Sequence, residues 1–211
     1  ANIIVLGWPR KRGLLDIIIG EKMDSILSNT DKTTFICHFE RPLALHKKMM
    51  VFIPPLAECE LGFDLWFTKL SKLAQELTIP MQIYCNKASE EVFRSLMKKI
   101  RISAMIMFLH FDNWDEFLNT FSRINQDDLI VLISSRSGSS SHMSLLDKLP
   151  SKLEKHFSLN SRIVIFPQQN NKANLNEIYG DLSAEPINIG IETVQKIGKG
   201  IGHIFKKGDH N

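Results

Sequence analysis

Residues 127–169, DDLIVLISSRSGSSSHMSLLDKLPSKLEKHFSLNSRIVIFPQQ, decide the fold. The run Leu129–Ile133 is apolar, rich in β-branched residues and too short for a helix, and Asp127-Asp128 bound it. A strand buried on both faces reads this way. A Ser/Gly loop follows, Ser134 to Ser141. Leu145, Leu146, Leu149, Leu153 and Phe157 then fall at helical spacing, and a second β-branched run, Arg162 to Phe166, closes at Pro167. Strand, polar loop, helix, strand is a βαβ unit. Its loop lies at the carboxyl end of the first strand, where ligands bind in open α/β sheets.

Outward from this unit the same grammar repeats. Lys48–Ile53 is a strand halted by Pro54-Pro55, which can neither donate to a ladder nor enter a helix interior. Phe63, Trp66, Phe67, Leu70, Leu73 and Leu77 mark an amphipathic helix over residues 62–78. Met81–Cys85 is a strand. Ser89-Glu90-Glu91 reads as the cap of a helix striped by Val92, Phe93, Leu96, Met97 and Ile100. Ala104–Leu109 is a strand and Trp114–Ile124 a helix. Residues 44–168 are therefore β-α-β-α-β-α-β-α-β, which predicts a five-stranded parallel sheet with helices on both faces.

Ahead of this domain, Asn2–Leu6 is a strand, Trp8–Gly13 a basic loop, Leu14–Leu27 a helix and Thr33–Phe39 another strand. This strand-helix-strand unit repeats the later one, so residues 1–40 read as the C-terminal part of a first copy of the domain. After a polar linker, residues 174–211 form a basic amphipathic tail. Ile187, Ile191, Val194, Ile197, Ile201, Ile204 and Phe205 fall on one face, and Lys196, Lys199, Lys206 and Lys207 lie between them. Its glycines weaken a helix by about 1 kcal/mol each relative to alanine, so it needs a surface: the domain's flank, a partner, or an anionic membrane face.

The chain has 211 residues and a formal charge of +3, which is no nucleic-acid footprint. Cys37, Cys59 and Cys85 are scattered without metal-ligand spacing, as thiols in a reducing compartment are. No run is long enough to span a membrane and none reads as a signal peptide, so the chain reads as soluble and cytosolic. A strand beginning at residue 2 fits a natural start or a piece of a longer chain equally.

The Ser134–Ser141 loop could cradle a phosphate on backbone N–H groups, with Arg136 adding charge. The plainer reading is a βα connection whose serines cap the following helix, and the loop has the spacing of neither GxGxxG nor a P-loop. The basic loop between Gly7 and Gly20 could also hold an anion, or be a solvated patch. His142 lies beside the serines, but no third orienting group and no nucleophile elbow accompany it. No catalytic or metal constellation emerges, and an enzyme is not expected.

The pattern DLIVL, loop, helix, IVIFP resembles the end of a universal stress protein domain. That resemblance implies a five-stranded parallel sheet and, in nucleotide-binding members, a G-x2-G-x9-G-S/T loop. The first loop matches in eroded form, with Gly7, Arg10 at the second glycine, and Gly20 followed by Glu21. The second has Ile133 and Arg136 at the first two glycines. Pro54-Pro55 stand where ATP-binding members have an acidic residue. Tandem degenerate copies of this kind are similar to the cytoplasmic C-terminal region of bacterial monovalent cation:proton antiporters. IIVLGWPRKRGLLDIIIGEKMDSIL, KKMMVFIPPLAECELGFDLWFTKLSKLA and LIVLISSRSGSSSHMSLLDKLPSKLEKHF carry that likeness, over residues 2–168. It implies a non-catalytic regulatory domain on the cytoplasmic face of the inner membrane. Its partners would be a transporter portion of the same chain, a second copy in a homodimer and, through the tail, the anionic membrane surface. The ligand-binding candidates are Gly7, Arg10, Gly20, Ser134, Ser135, Arg136, Ser137, Gly138 and Ser139. No cofactor is implied unless the serine loop takes a nucleotide. The alternative is a free-standing universal stress-type nucleotide-binding protein.

Overall fold

The structure, a computed structural model, describes residues 3–8, 25–117 and 124–169. All of these belong to one compact unit ending at Gln169. Among the described residues there are seven strands: β1 (Ile3–Gly7), β2 (Thr33–His38), β3 (Lys48–Phe52), β4 (Met81–Cys85), β5 (Ile106–His110), β6 (Asp128–Ile133) and β7 (Arg162–Phe166). Three long helices are described, α1 (Phe63–Leu77), α2 (Lys87–Ile100) and α3 (Ser144–His156). The protein is α/β, with one sheet in the order β1-β2-β7-β6-β3-β4-β5.

The expected strands of residues 44–168 pair with one another in parallel. Side chains alternate along them, so each strand feeds two cores. Met49, Val51, Ile53, Leu129, Val131 and Ile133 pack with Phe63, Trp66, Phe67 and Leu70 of α1 and Phe93 of α2. Met50, Phe52, Ile130 and Leu132 pack on the other face with Leu146, Leu149 and Leu153 of α3 and with Trp114 and Phe117. Helices cover both faces of the sheet, which is why its central strands carry unbroken apolar runs.

The sheet is larger than the five strands expected, and not wholly parallel. β1 pairs with β2 in parallel, and β2 pairs with β7 antiparallel. A two-strand unit is marginal on its own, and β7 is otherwise an edge with an unpaired row of backbone groups. Pairing the two closes both deficits. The seam is centred on Ile36 opposite Val164, with Thr34 opposite Phe166 and His38 opposite Arg162. This register relates β2 to β7 by a local two-fold, under which Thr34 corresponds to Arg162. Thr34 pairs with Ile4 and Arg162 with Ile130, so Ile4-Val5-Leu6 corresponds to Ile130-Val131-Leu132. The next bond corresponds too: Trp8 N–H donates to Cys37 O at 2.7 Å, and Ser134 N–H to Ile165 O at 2.8 Å.

Several local expectations are corrected. The cap of α2 is Asn86, whose side-chain oxygen accepts from Ser89 N–H at 2.8 Å; Ser89 lies inside the helix. Asn86 holds the extended conformation that an N-cap requires. Trp114–Glu116 is a short 3-10 turn, and residues 118–123 of the expected helix lie outside the described residues. So do most of the Leu14–Leu27 helix, of which 25–27 are described and helical, and the whole 174–211 tail. Asp128 closes the turn that precedes the strand, its N–H donating to Asn125 O at 3.0 Å. It is buried at the start of β6, accepting from Asn125 N–H at 2.9 Å and pairing with Lys48 at 3.3 Å. Among the described residues no helix is long and apolar enough to cross a membrane.

Burial pushes the Cys37 thiol up to about 11 and the Cys85 thiol up to about 12, while Cys59 is exposed. A thiol reagent at pH 8 is expected to modify Cys59 rapidly in the folded chain, and Cys37 and Cys85 only after unfolding. In the unfolded chain Cys37 and Cys85 ionise near the ordinary thiol value of 9.0, before their folded counterparts do. The unfolded state therefore binds fewer protons above that pH, and stability should fall as pH rises from about 9 towards 12. Urea unfolding across that range checks the sign.

Candidate functional site

The chain leaves β3 towards β4 and β5, then returns to β6 on the other flank of β3. The carboxyl ends of β3 and β6 therefore form a topological switch point, the expected place for a crevice. The loops that flank it are 53–62, after β3, and 134–143, after β6.

The serine loop is heavily engaged there. Ser134 is buried and its N–H extends the ladder to β7. Arg136 turns towards β2 and β7. Its Nε donates to Leu27 O at 3.1 Å, and its Nη2 to Lys32 O at 2.9 Å and Thr34 Oγ1 at 3.3 Å. Its Nη1 donates to Pro167 O, and its guanidinium carbon stands 6.0 Å from the centre of the Phe166 ring. The planar fork of arginine suits this task, since it delivers several donors in fixed directions. Burial draws its pKa down, and the Asp31 and Glu60 carboxylates oppose that.

A turn closes behind it, with Ser139 N–H donating to Arg136 O at 3.0 Å. Gly138 within that turn has φ +87, a left-handed conformation that favours glycine. Ser139 Oγ accepts from the Gln169 side chain. Ser141 donates both its N–H and its Oγ–H to Glu60 Oε1, each at 2.9 Å. The N-cap of α3 is Met143, with no side-chain cap bond. The serines thus do not cap the helix; they are spent on residues far away in sequence. Ser137 and Gly138 are exposed, and the Ser135 hydroxyl is buried with no hydrogen-bond partner among the described residues.

Four segments meet at this place: 31–34, 60–62, 134–141 and 166–169. Gln169 N–H donates to Asp31 O at 2.9 Å. A Cβ on Gly62 would stand 2.6 Å from Gln168 N and 2.7 Å from Thr33 Oγ1, so this position has no room for a side chain. The start of β2, the exit of β7 and the serine loop are consequently held as one junction.

No family model and no curated protein matches this chain.

Of the sequence candidates, the structure brings Ser134, Ser135, Arg136 and Ser139 into this junction. Gly7 ends β1 and is exposed. Arg10 and Gly20 lie outside the described residues. His142 pairs with Asp147 at 3.2 Å, on the α3 side of the loop. Among the described residues no cluster of His, Cys, Asp and Glu could hold a metal ion. Sequence reasoning missed Glu60, Gly62 and Gln169, because what each of them meets, Ser141, Gln168 with Thr33, and Ser139, is far away along the chain.

Replacing Arg136 with alanine leaves four oxygens without their donor. Arg136→Ala should lower unfolding stability by about 1–3 kcal/mol. Arg136→Lys should restore little of it, because an ammonium lacks the fork that reaches Leu27, Lys32 and Pro167 together. Urea midpoints of the two variants provide the check.

Proposed function

We propose that this chain is a non-catalytic regulatory region of a membrane cation:proton antiporter, sodium/proton exchange being the implied chemistry, on the cytoplasmic face of the inner membrane. The likeness of three stretches to such regions supports this, and one structural observation carries it furthest. A two-strand unit is joined edge to edge with a five-strand unit, in a register with local two-fold symmetry. That is the arrangement expected of tandem domains in which the first is represented by its last strands alone. The five-strand unit has the order third, second, first, fourth, fifth, which fits a universal stress protein-like domain.

The mechanism in this reading is linkage. A regulatory domain alters transport only by holding different free energies in the two transporter states. The junction is suited to this, because the approach to β2 and the departure from β7 are gripped by one guanidinium. A displacement of the chain on either side would strain the same set of bonds. Self-association of the domain and contact of the basic tail with an anionic bilayer are further components of the proposal. Nucleotide binding is the weaker component, since Arg136, Ser139 and Ser141 are already occupied by the protein's own groups.

The test is an immunoblot of native cells with an antibody to this domain, after carbonate washing of the membranes. A band much larger than 24.1 kDa that stays in the washed membranes is expected. A soluble band near that mass would overturn the proposal and favour a free-standing nucleotide-binding protein.

A further inference from the structure

The sheet ends at β5, and among the described residues no strand pairs with its outer side. Soluble proteins usually blunt such an edge with lysine, proline or a bulge. β5, Ile106-Met107-Phe108-Leu109-His110, has none of these and pairs without interruption along β4. Met81 N–H donates to Met105 O at 2.8 Å, and Phe111 N–H donates to Cys85 O at 3.0 Å. The odd-numbered residues therefore turn their backbone groups to β4. By the two-residue period, Ile106, Phe108 and His110 turn theirs outward.

The side chains hold this edge in place. Ile106 and Phe108 pack against the core shared with α1 and α2. From α2, the Arg94 guanidinium stands 4.7 Å from the centre of the Phe108 ring, and Glu90 bonds both Arg94 and His110, each at 2.7 Å. On the opposite face Met105 and Met107 are 73% and 55% exposed. Methionine is a flexible apolar residue well suited to a surface that repacks on binding. Charge is divided along the strand as well. Exposed Lys98, Lys99 and Arg101 precede it, and exposed Asp112 and Asp115 follow it.

We propose that β5 is a dimerisation edge, pairing antiparallel with β5 of a second copy of this chain about a two-fold axis at Phe108. This register engages all three outward residues, Phe108 with the partner's Phe108 and Ile106 with the partner's His110. Met107 then lies opposite the partner's Leu109 and is covered. Antiparallel pairing sets the basic approach to one strand beside the acidic departure of the other, whereas a parallel pair would set like charges together. The contact is isologous and closes at two copies, so it consumes the edge and does not propagate. The outer side of β7 is already taken by β2. In naming the second copy, this inference rests on the self-association part of the proposed function and not on attachment to a transporter.

The experiment follows the full chain through a dilution series, by sedimentation and by exchange of the Ile106, Phe108 and His110 amides. The concentrated native chain should have twice the mass of 24.1 kDa. The three outward amides should lose protection in step with dissociation. Met107→Lys, a change at an exposed side chain, should raise the dissociation constant about tenfold or more. The native series stands by itself should that variant unfold. A monomer at every concentration would overturn the proposal. So would a dimer whose outward amides are unprotected or which a folded Met107→Lys leaves intact, since self-association then lies elsewhere. Protected amides in a monomer would also overturn it, by placing another segment of the chain on the edge. None of these outcomes decides membrane attachment, which the washed-membrane blot tests separately.

Discussion

The antiparallel pairing of β2 with β7 is the constraint on which the rest of the structure depends. It makes β1 and β2 the continuation of a sheet with its own double-sided core. The pairing also gives β7 a neighbour on its outer side. Ile163 and Ile165 of β7 and Phe35 of β2 share the core formed with α1 and α2, so the seam is packed as well as hydrogen bonded. Burial on that scale, at about 25 cal/mol per Å² of apolar surface, outweighs what any one polar contact at the seam contributes.

Polar contacts instead set how the seam is terminated. At the end where β7 exits, Arg136 gathers carbonyls from the approach to β2 and from Pro167. At the opposite end, Arg162 is buried, donates to Asn160 O at 3.2 Å and stands 5.1 Å from the centre of the Trp8 ring. Each end of the seam therefore has an arginine directed at backbone oxygens and an aromatic face. Arginines held in this way, Arg162 buried and Arg136 half-buried, favour one alignment of the two units over a slipped one, because a shift of register would leave charges and carbonyls unpaired.

The legible part of the fold was the part governed by local pattern. Unbroken runs such as Leu129–Ile133 announced strands buried on both faces, and β4 and β7 have the bounds expected of them. The seam was not legible, because an antiparallel neighbour and a parallel one ask the same composition of Thr33–His38. The serine loop shows the same limit at finer scale. Its length and small residues identified a loop at the right edge of the sheet, but the acceptor for Ser141 lies 81 residues away and the acceptors for Arg136 come from both sides of the seam. Asn86 was overlooked as a cap because Ser89 offered a plausible hydroxyl three residues on. The Asn86 side chain won by accepting the Ser89 N–H, and this freed the Ser89 hydroxyl for Glu58.

The central claim is that the two units are one cooperative sheet. Native-state amide exchange measures this most directly, since the slowest amides report the opening of the global core. The account predicts that the central amides of β2, at Phe35 and Ile36, exchange as slowly as those of β6 at Ile130 and Val131. Exchange at Phe35 and Ile36 that is faster by orders of magnitude, with β6 still protected, would show that β1 and β2 open independently, and would contradict it.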